Sequence, residues 1–212
     1  MNILVSAGPT REYFDSVRFI SNPSSGKMGY ALAREAARRG HRVTLVSGPV
    51  SLEAPKGVRV VRVVSAAEMA SACKRAFRTA DVTFMTAAVC DYRPHGRVSY
   101  KKPKKARPLR VVLEPTEDIA AALGRRKGRR MIIAFAMEDH DPHAHAERKL
   151  HKKNCDLIVL NGPENVGRDR AVVELFSPEA GWTGPFRGTK EQVARRLVRV
   201  AERLAGLRTS RS

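Results

Sequence analysis

The chain has 212 residues, 42% of them hydrophobic, and a formal net charge of +19 from 40 Lys and Arg against 21 Asp and Glu. This composition excludes a disordered chain and predicts one globular domain over residues 1–207, followed by a basic tail over 208–212. No apolar run is long enough for a membrane span, and the N-terminus shows neither a basic region nor a cleavage site, so no secretory signal is expected. Three widely spaced cysteines without a CxxC pair favour a reducing, cytoplasmic compartment.

Strand and helix patterns alternate along the chain. Strand patterns cover 2–6, 42–47, 58–64, 82–86, 131–135 and 157–160, and helix patterns cover 27–39, 66–78, 142–153 and 190–204. Apolar strands that alternate with helices predict an α/β, Rossmann-like, three-layer fold in which helices cover both faces of a parallel sheet.

Basic residues form two clusters. Arg97–Leu113 contains seven Lys or Arg and no acid, and Arg125–Arg130 contains five more. We interpret residues 94–109 as a basic, mobile arm that flanks the site, against the alternative of a disordered loop. Phosphate contacts by such clusters would suit a nucleic-acid-binding protein, but no aromatic residues are interleaved with them, so nucleic-acid binding is the less favoured hypothesis.

The segment Ser21–Gly29 carries the strongest chemical signal. It places hydroxyls, an amide, glycines and Lys27 at a predicted helix N-terminus, where free N–H groups favour anions. It therefore predicts a phosphate or carboxylate site, against the alternative of an ordinary helix capped by Ser24 or Ser25. The loops after the predicted strands should meet this segment at the carboxyl edge of the sheet.

Two common nucleotide enzymes fit the sequence poorly. The first loop lacks GxGxxG, and Ser47-Gly48 stand where a nicotinamide-dependent oxidoreductase has an acidic residue for the ribose. A P-loop nucleotidase requires Ser or Thr after Gly-Lys, whereas Met28 follows Gly26-Lys27. His140, His143 and His145 lie near one another, but a solvated loop is favoured over a zinc site because no second ligand cluster completes a set.

A family resemblance covers residues 2–176. It is carried by Ala7–Glu12, Val17–Asn22 with Ser21–Gly29, Val43–Val50, Ala87–Pro94, Ala134–Ala136 and Lys149–Leu157, in that order. In these motifs the chain resembles phosphopantothenate–cysteine ligase, the synthetase half of the bacterial bifunctional coenzyme A biosynthesis protein.

The resemblance implies a cytoplasmic, homodimeric enzyme. It implies that cysteine is joined to 4′-phosphopantothenate through an acyl-cytidylate, with CTP and Mg²⁺, to give 4′-phosphopantothenoylcysteine. ATP in place of CTP, or a non-catalytic basic nucleic-acid-associated protein on the same fold, are the alternatives. No flavin is expected, a separate protein is expected to supply the decarboxylase, and the metal ligands stay open.

The resemblance also assigns site residues. The catalytic assignments are Asn22 and Lys101. The substrate-binding assignments are Arg18, Asn22, Ser25, Gly26, Lys27 and Ala88. The nucleotide-binding assignments are Gly8, Thr10, Ser47, Gly48, Ala87, Asp91, Lys101, Lys104, Glu117, Asp118, Ile119, Ala120, Phe135, Lys149 and Lys153. A one-residue shift in the arm would replace Lys101 and Lys104 by Lys102 and Lys105.

The sequence departs from the family pattern in three places. The proline usual before Asp118 is missing, the Ala-Glu-Thr usual after the phenylalanine is Met137-Glu138-Asp139, and the late Asn-rich loop is replaced by 165–169. The second change bears on nucleotide preference.

Overall fold

The computed structural model describes residues 1–104 and 106–209, with side chains through residue 206, so Lys105 and the last three residues of the predicted tail lie outside the described residues. The strands are β1 (Asn2–Ala7), β2 (Arg11–Tyr13), β3 (Phe19–Ser21), β4 (Arg42–Ser47), β5 (Val58–Arg62), β6 (Val82–Met85), β7 (Tyr92–Pro94), β8 (Leu113–Pro115), β9 (Met131–Met137), β10 (Leu157–Asn161), β11 (Arg170–Ser177) and β12 (Gly181–Thr189). The helices are α1 (Lys27–Arg38), α2 (Ala66–Phe77), α3 (Ile119–Gly124), α4 (Pro142–Lys152) and α5 (Lys190–Thr209), with a 3₁₀ turn at Pro163–Asn165.

One eight-stranded sheet, in the order β12-β11-β10-β9-β6-β1-β4-β5, organises the chain. The six strands from β10 to β5 are parallel, so the predicted Rossmann-like α/β fold is confirmed. At one edge the sheet departs from the parallel arrangement, because β11 pairs antiparallel with both β10 and β12. An edge tolerates the proline of β12, because one side of an edge strand needs no ladder hydrogen bonds.

Apolar layers on both faces of the sheet explain the continuous apolar strands. On β1, Ile3 and Val5 pack on the face covered by α1 and α5, whereas Leu4 packs on the face covered by α2, α3 and α4. All three side chains are at most 2% exposed. Successive residues of a strand point to opposite faces, so a strand buried on both sides must be apolar throughout. No helix among the described residues is both long and apolar enough to span a membrane.

Two small hairpins project from the sheet. The first, β2–β3, and the second, β7–β8, are each built from three-residue strands. The arm leaves β7 and lies along the first hairpin, where the amide of Val98 donates to the carbonyl oxygen of Phe14 at 3.4 Å. The guanidinium of Arg97 stacks on Tyr13 with 5.1 Å to the ring centroid.

Candidate active site

A cavity of about 450 Å³ opens at the carboxyl edge of the parallel strands, which is where ligands bind in open α/β sheets. We call it the crevice. Its lining residues are Asn22, Pro23, Ser24, Ser25, Gly26, Lys27, Met28, Gly29, Thr86, Ala87, Ala88, Val89, Phe135, Met137, Lys149, Asn161, Asn165, Val166, Gly167, Ala171, Val173 and Lys190. Eight of the predicted site residues line it: Asn22, Ser25, Gly26, Lys27, Ala87, Ala88, Phe135 and Lys149.

The N-terminus of α1 forms one wall of the crevice. Gly26 is the N-cap in a left-handed conformation (φ 74°), and no side chain within the described part of the chain caps the helix. The alternative of a serine cap is therefore wrong, because glycine provides the turn that a serine would otherwise stabilise. Uncapped amides at a helix start, in residues that line a cavity, form a ready site for an anion.

Glycines let three loops meet below the crevice. A Cβ on Gly29 would lie 2.5 Å from the Cβ of Ala7 and 2.6 Å from the hydroxyl of Thr86. A Cβ on Gly48 would overlap the carbonyl oxygen of Pro9. The backbones are thus packed so closely that only glycine fits at these two positions.

Asn22 joins its own loop to the loop after β6. Its side-chain amide nitrogen donates to the carbonyl oxygens of Val89 at 3.0 Å and Ala88 at 3.4 Å. The amide of Ala88 in turn donates to the carbonyl oxygen of Gly8 at 2.9 Å. The Asn22 amide oxygen accepts no hydrogen bond from the described residues, which leaves it available to a ligand in the crevice.

Four predicted nucleotide contacts lie beneath the crevice instead of lining it. The side chains of Thr10 and Ser47 are fully buried. The Thr10 hydroxyl accepts from the amide of Cys90 at 2.9 Å, and the Ser47 hydroxyl donates to the carbonyl oxygen of Gly48 at 2.8 Å. Together with Gly8, these residues hold the loops in place, and their contact with a nucleotide stays a prediction.

Two lysines provide the positive charge of the inner crevice. Lys27 Nζ pairs with Asp169 at 2.6 Å, and this hydrogen bond and its charge hold the pKa of Asp169 below its ordinary value. Lys190 is only 7% exposed, and its Nζ donates to the carbonyl oxygen of Asn165 at 3.1 Å. Burial lowers the pKa of Lys190 and the charge of Lys27 lowers it further, against the opposing charges of Asp169 and Glu191.

Sequence analysis missed Lys190 and Asn165. The signal available for Lys190 was a capping box, since the Thr189 hydroxyl accepts from the amide of Gln192 at 3.2 Å and Gln192 Oε1 accepts from the amide of Thr189 at 2.8 Å. This pattern fixes the start of α5 directly before Lys190. Its burial depends on the loop that contains Asn165, which no local pattern predicts.

The outer crevice contains Phe135, Met137 and Lys149. Lys149 forms an ion pair with Glu138, whose carboxylate also lies 3.5 Å from the imidazole of His145. His140, just before α4, pairs with Asp141 at 3.3 Å, and His143, within α4 like His145, pairs with Glu174 at 3.2 Å, so two of the three histidines lie on a helix and not in the predicted loop.

Arg18 lies outside the crevice, on the turn of the first hairpin. Its guanidinium donates to Asp15 through Nε at 2.8 Å and Nη2 at 2.5 Å, and to the carbonyl oxygen of Lys102 at 2.8 Å. Burial would raise the pKa of Asp15, but hydrogen bonds from the Arg18 and Val17 amides and the guanidinium hold it well below its ordinary value. Within this chain, Arg18 links the hairpin to the arm, and its contact with substrate stays a prediction.

The remaining predicted residues also lie outside the crevice. Lys101 and Lys104 are exposed on the arm, and Asp91 is exposed after β6. Glu117 pairs with Lys74 at 2.6 Å, while Asp118 caps α3 by accepting from the amide of Ala121 at 3.0 Å. Lys153 Nζ lies 3.3 Å from Asp118, and Ile119 and Ala120 are buried in α3.

The family model and the curated relatives that match this chain point to the same family. Residues 1–204 match the DNA/pantothenate metabolism flavoprotein C-terminal domain. The chain is 41% identical over 180 residues to the coenzyme A biosynthesis bifunctional protein CoaBC of Bacillus subtilis (strain 168), covering 82% of this chain and 44% of the relative. The chain therefore spans about half the length of the curated relatives that it matches.

Two solved structures share the fold. The crystal structure of the C-terminal domain of a CoaBC protein superposes with a TM-score of 0.82 at 37% identity, covering 96% of this chain and 94% of that one. A Cab2 mutant in complex with phosphopantothenate-cysteine superposes with a TM-score of 0.83 at 16% identity, covering 99% and 88%. At that identity the second likeness concerns the fold alone.

Proposed function

This chain belongs to the DNA/pantothenate metabolism flavoprotein C-terminal domain family, and on that premise we propose that it ligates cysteine to 4′-phosphopantothenate with CTP. The observation that carries the proposal is the crevice. It combines the uncapped N-terminus of α1, the amide of Asn22 and the buried cation Lys190 in one cavity. Such a site suits a ligand that carries both a phosphate and a carboxylate.

The reaction proceeds in two displacements. A carboxylate oxygen of 4′-phosphopantothenate attacks the α-phosphorus of CTP, the bond to the β-phosphate breaks, and pyrophosphate leaves. The cysteine amine then attacks the acyl carbon of the acyl-cytidylate, the bond to CMP breaks, and the amine proton passes to solvent. Since both steps develop charge on phosphate oxygens, positioned donors and cations contribute more than a general base does.

The residues of the crevice have corresponding roles. The amide oxygen and remaining N–H of Asn22 orient the acyl-phosphate group, while Lys27, Lys190 and the first amides of α1 bind phosphate oxygens. Phe135 and Lys149 lie at the outer end, where we place the cytidine. Lys101 and Lys104 on the arm act by closing over the triphosphate and excluding water from the acyl-cytidylate.

Magnesium fits this site as an ion that arrives with the nucleotide. No cluster of three metal-ligating side chains occurs among the residues that the structure describes. Mg²⁺ binds phosphates and water and needs only one or two carboxylates, and the exposed Asp91 would hold it through water. When bound, the ion neutralises charge on the leaving pyrophosphate.

We place the predicted homodimer contact on the two hairpins. Val17 and Phe19 on the first hairpin are 55% and 39% exposed, and Tyr92 and Val112 at the second are 56% and 70% exposed. Apolar residues grouped in this way favour a protein contact. Since Arg18 lies beside them and outside its own crevice, a partner hairpin would bring this arginine to the second crevice. A separate flavoprotein decarboxylase and a cytoplasmic location stay predictions.

The test measures pyrophosphate release by the purified chain with 4′-phosphopantothenate, cysteine and Mg²⁺, with CTP or ATP in parallel, and detects the conjugate by mass. We expect turnover with CTP that needs every component. Asn22→Ala should lower kcat by at least roughly 100-fold, about 2.7 kcal/mol of transition-state stabilisation. Asn2→Ala, which removes an asparagine at the amino end of β1, opposite the edge where the crevice opens, is the matched control.

The same assay separates the alternatives. Turnover with ATP but not with CTP would mean that the chain is the proposed ligase but uses ATP as its nucleotide. If the folded protein releases no pyrophosphate with either nucleotide, the ligase proposal is wrong. If that protein also binds DNA or RNA with a steep salt dependence, the nucleic-acid hypothesis takes its place.

A further inference from the structure

A second cavity, of about 630 Å³, lies between α2 and α3, away from the crevice. We call it the basic groove. It is lined by Lys74, Arg75, Phe77, Arg78, Glu117, Ala122, Leu123, Arg125, Arg126 and Arg130. Two segments that are about 50 residues apart in the sequence thus bring six cations and one carboxylate to one cavity.

Arg130 ties the two sides of the basic groove together. Its guanidinium lies over the ring of Phe77 at 5.2 Å and donates to the carbonyl oxygen of Arg78 at 2.9 Å, at the end of α2. It also donates to the carbonyl oxygen of Arg126 at 3.4 Å, just beyond α3. At one end, the sole carboxylate of the lining, Glu117, is neutralised by Lys74 at 2.6 Å.

Three other arginines of the groove have no ion-pair partner among the described residues. Arg78, Arg125 and Arg126 are exposed, and none of them forms an ion pair with another described residue. Cations near helix C-termini offset the helix dipole, but the carbonyl groups at these two helix ends already accept from Arg130. Crowding three further like charges beside them costs free energy, which a bound anion would recover.

We propose that the basic groove binds a small molecule with several phosphate groups. Guanidinium groups match phosphate oxygens in pairs, and several of them around one cavity suit a multivalent anion. The volume lies in the range of small-molecule sites. A nucleic acid is less well suited, because the single aromatic residue of the lining, Phe77, is 4% exposed and offers no face for base stacking. Binding in the basic groove does not depend on the ligase activity, although Glu117 of its lining is also one of the predicted nucleotide contacts.

The test titrates the full chain with inorganic tripolyphosphate, with affinity measured by calorimetry and location by amide chemical shifts. Arg78→Gln/Arg126→Gln removes two unpaired groove cations. Arg59→Gln/Arg62→Gln removes two exposed arginines of β5 and is the control, because it changes the net charge equally. Thermal unfolding checks that both variants fold.

We expect shift changes at residues 74–78 and 122–130, separate from any at the crevice, and an affinity for this site at least tenfold weaker in the groove variant only. If the affinity for tripolyphosphate falls equally in both variants, the net charge of the protein explains the loss, and the proposal is overturned. Absence of shifts at those segments would overturn it as well. Displacement of tripolyphosphate by a short oligonucleotide at a lower concentration would overturn the small-molecule class.

Discussion

Two buried charges, Asp15 in the first hairpin and Lys190 in the crevice, have opposite surroundings. Asp15 is fully buried and accepts from the amides of Val17 at 2.9 Å and Arg18 at 2.7 Å, as well as from the Arg18 guanidinium. Lys190 is 7% exposed, and its ammonium group makes one hydrogen bond to the residues described here, to the carbonyl oxygen of Asn165. The anion has more donors than it needs, and the cation has too few acceptors.

The number of hydrogen-bond partners distinguishes a buried charge that stabilises the fold from a buried charge that binds a ligand. An ammonium group carries three donors and a carboxylate accepts about four hydrogen bonds, so Asp15 is satisfied by its own chain and Lys190 is not. A buried charge that lacks partners is costly, and in a cavity the missing partner is a ligand. Lys27, with its exposed partner Asp169, is intermediate.

Among the charged residues of this comparison, the largest effect should come from Lys190→Gln. Without the buried cation we expect kcat/KM of the ligase to fall by roughly 100-fold, about 2.7 kcal/mol, because a charge-assisted contact in a desolvated site is lost. Lys190→Arg should recover part of the activity. Lys56→Gln, at an exposed turn, is the control.

Stability distinguishes this role from a structural one. Since the free protein gains nothing from an underpartnered charge, Lys190→Gln should keep or raise Tm. A marked loss of Tm together with unchanged calorimetric affinity for tripolyphosphate at the crevice would make Lys190 a structural residue and remove the contrast with Asp15.

Sequence patterns predicted the parallel strands and the long helices, and missed the hairpins, α3 and the antiparallel edge of the sheet. The apolar β1 and the amphipathic α1 each bury enough residues to show a period, whereas the three-residue strands of the hairpins and the six residues of α3 do not. The strands β11 and β12 were missed although they have eight and nine residues, since β12 contains Gly184 and Pro185, which are unusual within a strand. Those strands are defined by pairing, which is a tertiary property.

The site divides in the same way. Contiguous motifs placed Asn22, Lys27 and Phe135 at the crevice, because Asn22 follows β3, Lys27 begins α1 and Phe135 lies near the carboxyl end of β9. The same reasoning placed Ser47 and Thr10 there too, although both side chains point into loop-to-loop contacts. A motif gives the neighbourhood of a residue, and only packing gives the direction of its side chain.

Asp15→Asn should have an intermediate effect, on stability. The depressed pKa of Asp15 means that the folded state favours the charged form. Its stabilisation is present above the ordinary pKa of about 3.8 and is lost as pH falls toward the folded value. We expect Tm to fall by several degrees at pH 7, and the difference from wild type to shrink below about pH 4.

Thermal unfolding across pH 3–8 measures this difference, with Asp139→Asn at an exposed position as the control. A Tm difference that is constant with pH would mean that the neutral side chain fills the same role, and the charge of Asp15 would then have no special importance.

The smallest effect should come from Asp169→Asn. The Asp169 side chain is 83% exposed, and exposed ion pairs contribute about 0–1 kcal/mol, so its loss should leave Tm nearly unchanged. The substitution frees Lys27 for a phosphate, and we expect KM for the phosphorylated substrate to fall by roughly two- to threefold with kcat unchanged.

Steady-state kinetics at two salt concentrations measure this change in KM, because a freed exposed charge is screened by salt. A KM that rises would instead show that Asp169 holds Lys27 in its binding position, and the pair would then resemble Asp15 and Arg18 more closely than it resembles Lys190.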